Sequence, residues 1–145
     1  VSLEPTLRFL WRCGVETFLP ALHRQPGQAL WFIEHRKGDP LVRNRYGILE
    51  PSVTHHIPTP AWALDLILLP LVAFDATGNR LGMGGGFYDR SLAPVYNRVH
   101  AARPRLVGIA HEGQRVAKLT PMPWDIPLDA VLTETGFHPF KKTVT

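Results

Sequence analysis

The sequence predicts an α/β fold, a three-layer sandwich around a mostly parallel central sheet. Two observations carry this. The run LDLILLPLVAFD (64–75) is apolar with little alternation, the pattern of a strand covered on both faces. Strand-like runs then alternate with a stretch of helical periodicity, which is the chain order of a parallel sheet with crossover helices. A length of 145 residues is that of one domain over 1–145. A chain of this size can bury a core without covalent staples.

The elements follow in order. Leu3, Leu7, Leu10 and Trp11 form one stripe, so residues 3–13 read as a helix, with Gly14 as its stop. VETFLPAL (15–22) is apolar enough for a buried strand, and Pro20 places it at an edge or interrupts it. HRQPGQ is a turn, and ALWFIEH (29–35) a second strand. Residues 36–61 are polar and rich in Pro and Gly, and read as one long loop. Pro70 predicts a bulge or kink in the 64–75 strand. YDRSLAPVYNRVHA (88–101) has helical spacing, with Leu92, Tyr96 and Val99 on one stripe and Pro94 tolerable only in the first turns. RLVGIAHEG and DAVLTET read as strands, and GFHPFKKTVT as a frayed or loosely docked tail.

Composition excludes several classes. Hydrophobic residues make up 45% and charged residues 19%, and no apolar run is long enough to span a bilayer. The net charge of +4 is spread along the chain and not gathered into a basic patch, so no nucleic-acid partner is expected. The single cysteine, Cys13, excludes an internal disulfide and points to a reducing cytoplasm. His55 and His56 are adjacent, point apart and have no third ligand nearby, so they read as loop residues.

The stretch NRLGMGGGFYDRSL (79–92) carries chemistry. Gly82, Gly84, Gly85 and Gly86 stand directly ahead of the predicted helix. Glycines permit positive φ and let a ligand reach the bare backbone. Successive N–H groups in such a turn form a nest for an anion, and the helix start adds its positive end. Arg80 can add a bidentate contact to phosphate. There is no Gly-Lys-Ser/Thr, so this is not a Walker loop, and Phe87 stands where a dinucleotide fingerprint has its last glycine. From the glycines alone, a ligand-free tight turn remains an equal alternative. Asp89 is either a first-turn acid favoured by the helix dipole or a magnesium ligand beside phosphate. Asp125, in a loop held by Pro121, Pro123 and Pro127, reads as turn chemistry on its own.

Taken together, LLPLVAFDATGNRLGMGGGFYDRSL closely resembles the signature of the 5-formyltetrahydrofolate cyclo-ligase family. Pro70, Ala73, Phe74, Asp75, Gly78, Arg80, Leu81, Gly82, Gly84, Gly86, Phe87, Tyr88 and Asp89 match its fixed positions. FLPAL, NRYGILEP, GIAHEGQ and WDIPLDAVLTE follow in the family's order. The resemblance implies ATP- and Mg2+-dependent cyclisation of 5-formyltetrahydrofolate to 5,10-methenyltetrahydrofolate, with release of ADP and phosphate. It implies that Arg80, Leu81, Gly82, Met83, Gly84, Gly85, Gly86, Phe87 and Tyr88 bind ATP, and that Gly84 to Tyr88, with Tyr46, also meet the folate. Arg80 and Tyr88 are the implied catalytic residues; Asp89 and Asp125 are the implied magnesium ligands. The expected partners are thus ATP and a reduced folate, for a monomer with no nucleic acid and no membrane. Some members carry basic residues at the positions of Met83 and Gly85. The family's upstream helix, with a Lys and an Arg on ATP and a Glu on folate, has no counterpart here, so the expectation is an N-terminally truncated domain. The alternatives are a catalytically degenerate phosphate- or nucleotide-binding module of the same fold, or a sugar-phosphate isomerase. The isomerase lacks the paired acid and base it would need.

Overall fold

The computed structural model of the chain describes residues 1–145 apart from positions 24, 26, 28, 55, 97–103 and 142–145. It is a mixed α/β fold. Helix α1 spans Glu4–Arg12 and helix α2 Phe87–Tyr96. Among the described residues the main sheet has four strands: β5 (Leu66–Pro70), β8 (Arg105–Ile109), β9 (Ala130–Thr133) and β10 (Gly136–Pro139), in the order β10-β9-β8-β5. The pairs β5–β8 and β8–β9 are parallel and β9–β10 is antiparallel. The described residues also form three antiparallel pairs: β1 (Phe18–Ala21) with β2 (Trp31–Glu34), β3 (Leu41–Arg43) with β4 (Leu49–Pro51), and β6 (Ala73–Phe74) with β7 (Arg80–Leu81).

The main core gathers Phe32, Ile67, Leu69, Leu92, Leu106 and Leu128. Leu92 brings α2 into that core; Val99, on the same predicted stripe, lies outside the described residues. The strand predicted over 64–75 is divided. It is the edge of the main sheet, with Ile67 and Leu69 buried and Leu66 and Pro70 exposed. Pro70 ends it, where a missing donor costs no ladder bond. The chain then bends, and Gln114 Nε2 holds the bend by donating to the carbonyls of Leu71 (2.8 Å) and Val72 (3.1 Å).

Two expectations are corrected. Residues 36–61 do not form one loop, because the hairpin β3–β4 lies within them. All three residues of β3 are exposed, so no buried alternation marks it in the sequence. The tail is not wholly frayed either: residues 136–139 form β10, bonded on one side only. The turn HRQPGQ and the histidine pair include positions outside the description.

The β6–β7 hairpin, which delivers the glycine stretch, turns on Asp75. This carboxylate is 2% exposed. It accepts from Thr77 N and Oγ1, Asn79 N and Nδ2, and Leu119 N, at 2.9–3.1 Å. Burial pushes its pKa up, but the donors from Leu119, Asn79 and Thr77 outweigh that and hold it at about 2. The unfolded value is about 3.9, so this residue contributes about 2–3 kcal/mol above roughly pH 5, lost as the pH falls toward 2. Urea unfolding at pH 7 and pH 3 should show a larger acid loss for wild type than for Asp75→Asn. Equal losses would mean that the carboxylate network does not hold the hairpin.

Candidate functional site

Between β7 and α2 the backbone is opened by glycine. Gly84 has φ +90° and Gly86 φ +64°, conformations that side chains rarely adopt. Among the described residues, no N–H from Met83 to Gly86 donates to a protein acceptor. These donors stand at the start of α2, where first-turn N–H groups are unpaired and the dipole is positive. Four consecutive backbone donors are therefore unpaired where the nest is predicted. Met83 is 94% exposed above it, so the approach is open.

Beneath the nest lies a buried ion pair. Arg80 Nη2 donates to Asp89 Oδ1 at 2.7 Å, with the two side chains 7% and 16% exposed. The backbone N–H of Ile126 donates to the same oxygen at 3.0 Å. One carboxylate oxygen thus ties together β7, α2 and the loop before β9. Arg80 runs under Gly82, whose added Cβ would stand 3.4 Å from Nη1. Its Nε is buried and has no hydrogen-bond partner. The adjacent Tyr88 hydroxyl is pushed up in pKa by burial, an effect that Arg80 partly opposes, so it keeps its proton and can donate a hydrogen bond.

Asp125 directly precedes the residue bonded to Asp89. Its Oδ2 accepts from Met122 N at 2.9 Å, fixing the turn. Neither Asp89 Oδ2 nor Asp125 Oδ1 accepts a hydrogen bond from the described residues. No group of three or more His, Cys, Asp or Glu that could hold a metal occurs among those residues. Each of these carboxylates keeps one oxygen open, the kind of donor magnesium takes, since it binds through one or two carboxylates and keeps water and phosphate oxygens for the rest.

The β3–β4 hairpin reaches the same place from elsewhere in the chain. Asn44 Oδ1 accepts from Tyr46 N (2.9 Å) and Ile48 N (3.1 Å), and Gly47 takes φ +76°. This rigid tip presents Tyr46, 61% exposed, edge-on to Phe87 with ring centroids 6.4 Å apart. Arg45 lies over Tyr46 at 5.3 Å and Arg90 over Phe87 at 5.1 Å. Trp124 is 64% exposed on the surface. A cavity of about 360 Å³ lined by Ser2, Glu4, Pro5 and Arg8 contains none of these residues.

The structure therefore joins Arg80 to Asp89, Tyr46 to Phe87, and the Asp125 loop to Asp89. Sequence reasoning missed the Arg80–Asp89 pair, the Ile126 donor and Arg90. Only Arg90 left a signal, since it stands four residues after Gly86 and helical spacing places it over that glycine.

Comparison with known proteins bears on the family and the fold. The model of the 5-formyltetrahydrofolate cyclo-ligase family matches residues 2–134. The 5-formyltetrahydrofolate cyclo-ligase of Escherichia coli (strain K12) is 45% identical over 133 residues, which cover 92% of this chain and 71% of that protein. The Haemophilus influenzae enzyme of the same name is 38% identical over 132 residues, 91% of this chain and 68% of that one. Among solved structures, the NMR structure of Aquifex aeolicus 5,10-methenyltetrahydrofolate synthetase matches with a TM-score of 0.77 at 28% identity. It covers 100% of this chain and 68% of its own.

Proposed function

The chain belongs to the 5-formyltetrahydrofolate cyclo-ligase family of enzymes, and from that premise we propose that it closes the ring of 5-formyltetrahydrofolate at the expense of ATP. The observation that carries the nucleotide part is the row of four unpaired N–H groups, Met83 to Gly86, at the start of α2. The finer assignments belong to the same proposal. The formyl oxygen attacks the γ-phosphorus; an O–P bond forms and the bond to ADP breaks. The lone pair of N10 then attacks the formyl carbon, the C–O bond breaks, inorganic phosphate leaves, and N10 loses its proton. The product is the 5,10-methenyl cation.

This chemistry needs charge held in place more than it needs an acid or base. Residues 80–88 cradle the polyphosphate through the nest, with Arg80 held beneath it by Asp89. Tyr88 acts as a hydrogen-bond donor, and Tyr46 with Phe87 forms the wall for the folate ring. Asp89 and Asp125 offer their open oxygens to magnesium, which when bound neutralises the phosphate charge. Among the described residues no helix is long and apolar enough to cross a membrane. Cys13 is exposed and unpaired, which fits a reducing cytoplasm as the compartment. A monomer and the three-layer sandwich complete the reading.

Methenyltetrahydrofolate absorbance, followed with magnesium–ATP and 5-formyltetrahydrofolate, tests the activity. Magnesium–ATP at a hundred times its Kd should also stabilise the chain by about 2.7 kcal/mol in a thermal-shift titration. Stabilisation without turnover would identify a catalytically silent binding module. Absence of both would end the proposal.

A further inference from the structure

We propose that Arg90, which is not among the fixed positions of the family signature, is the side-chain cation that this site turns toward the polyphosphate of the nucleotide. The inference rests on the nucleotide reading above and assigns within it a residue to which the resemblance gave no role. Arg80 carries a charge, but Asp89 balances it at 2.7 Å and the pair is buried. An ion pair so engaged offers donors but little net field.

Arg90 differs in each respect. It is exposed and has no carboxylate partner among the described residues. Its backbone N–H donates to Gly86 O at 3.0 Å, closing the first turn of α2. Side chains on a helix lean toward its N-terminus, and this one folds back along the turn. Its guanidinium lies on the Phe87 ring, and its Nη1 sits 3.1 Å from where a Cβ of residue 86 would be. The ring fixes the plane of the guanidinium, so less rotamer freedom is lost when its edge binds. The phenyl position is itself set by Gly85, where an added Cβ would meet the ring at 2.7 Å. Gly85, Phe87, Arg90 and Gly86 thus form one packed unit on the nest.

The unit gathers donors: four backbone N–H groups, Met83 to Gly86, that meet no acceptor among the described residues, and a guanidinium edge. One carboxylate has too few oxygens for so many donors. A polyphosphate has enough, and it carries the multiple charge that both the guanidinium and the helix start favour.

Titration calorimetry on the whole chain tests this, with magnesium–ATP and 5-formyltetrahydrofolate as separate probes. Arg90→Gln should weaken magnesium–ATP by about tenfold to a hundredfold, the range of a lost charge-assisted contact. Affinity for 5-formyltetrahydrofolate and the ligand-free melting temperature should not change. Arg90→Lys, which keeps the charge but not the planar fork, should fall between. The inference is overturned if Arg90→Gln binds magnesium–ATP like wild type. It is also overturned if the loss falls on 5-formyltetrahydrofolate, for then the guanidinium serves the substrate's carboxylates. A wild-type chain that binds no magnesium–ATP would overturn the nucleotide reading itself, an outcome distinct from both.

Discussion

Replacing Asp89 by asparagine is expected to remove turnover and to lower stability by about 3–5 kcal/mol, the cost of leaving a buried charge without its partner. Arg80 is 7% exposed and its Nη2 bonds directly to Asp89, so the loss strands a guanidinium in the interior. A surface acid that merely complements the helix dipole would cost only about 0.3–1 kcal/mol. The two roles separate in the double variant Arg80→Gln/Asp89→Asn. It has no stranded charge and keeps an acceptor for Ile126 N, so urea unfolding should show most of the stability restored. Turnover should stay lost, because the carboxylate proposed for magnesium is still missing. Turnover within a few-fold of wild type in Asp89→Asn would exclude the metal role. A stability change under 1 kcal/mol would exclude the buried-pair account.

Gly78→Ala should be nearly as damaging, by about 2–5 kcal/mol from backbone strain and overpacking together. Gly78 has φ +89°, and an added Cβ would stand 2.9 Å from Leu128 O and 3.1 Å from the Phe140 ring. The first neighbour is backbone and cannot rotate away. It is also fastened to the glycine, since Leu128 N donates to Gly78 O at 2.9 Å. Gly84→Ala is the control: φ is +90°, but nothing lies within 4 Å of the added atom. It should cost only the strain, about 1–2 kcal/mol. Melting temperatures of the two variants decide the matter. Equal losses would show that conformation alone, and not the contact with Leu128, requires the glycine at 78.

What could be read in the sequence follows the range of each interaction. Both helices and strands β1, β2, β5, β8 and β9 announce themselves through local periodicity or apolar runs. The glycine turn was legible because successive glycines mark it locally. Strands β3 and β10 were not legible: β3 is exposed throughout, and β10 buries no residue fully. The β5 strand looked internal because its apolar run continues through Leu71 and Val72 into β6. In the fold it is an edge strand that ends at Pro70. Pairings across space were the least visible. Nothing local says that Arg80 will choose Asp89 over a ligand, or that Tyr46 will face Phe87 from 41 positions away in the chain.

The bonds that complete the site share a direction along the chain. Asp75 takes a donor from Leu119, Asp89 one from Ile126, and Gly78 gives an acceptor to Leu128. In every case the partner lies 37–50 positions further on. A ribosome that has released residues up to Arg90 has delivered the whole signature, yet the carboxylates of Asp75 and Asp89 still lack those donors. Loop closures of this length must precede the contacts that reward them. The long-range bonds of the glycine hairpin are therefore expected to close late, and the nucleotide capture proposed above to wait for the segment from 119 to 128. Stalled or shortened chains ending before that segment should carry every signature residue and bind no nucleotide.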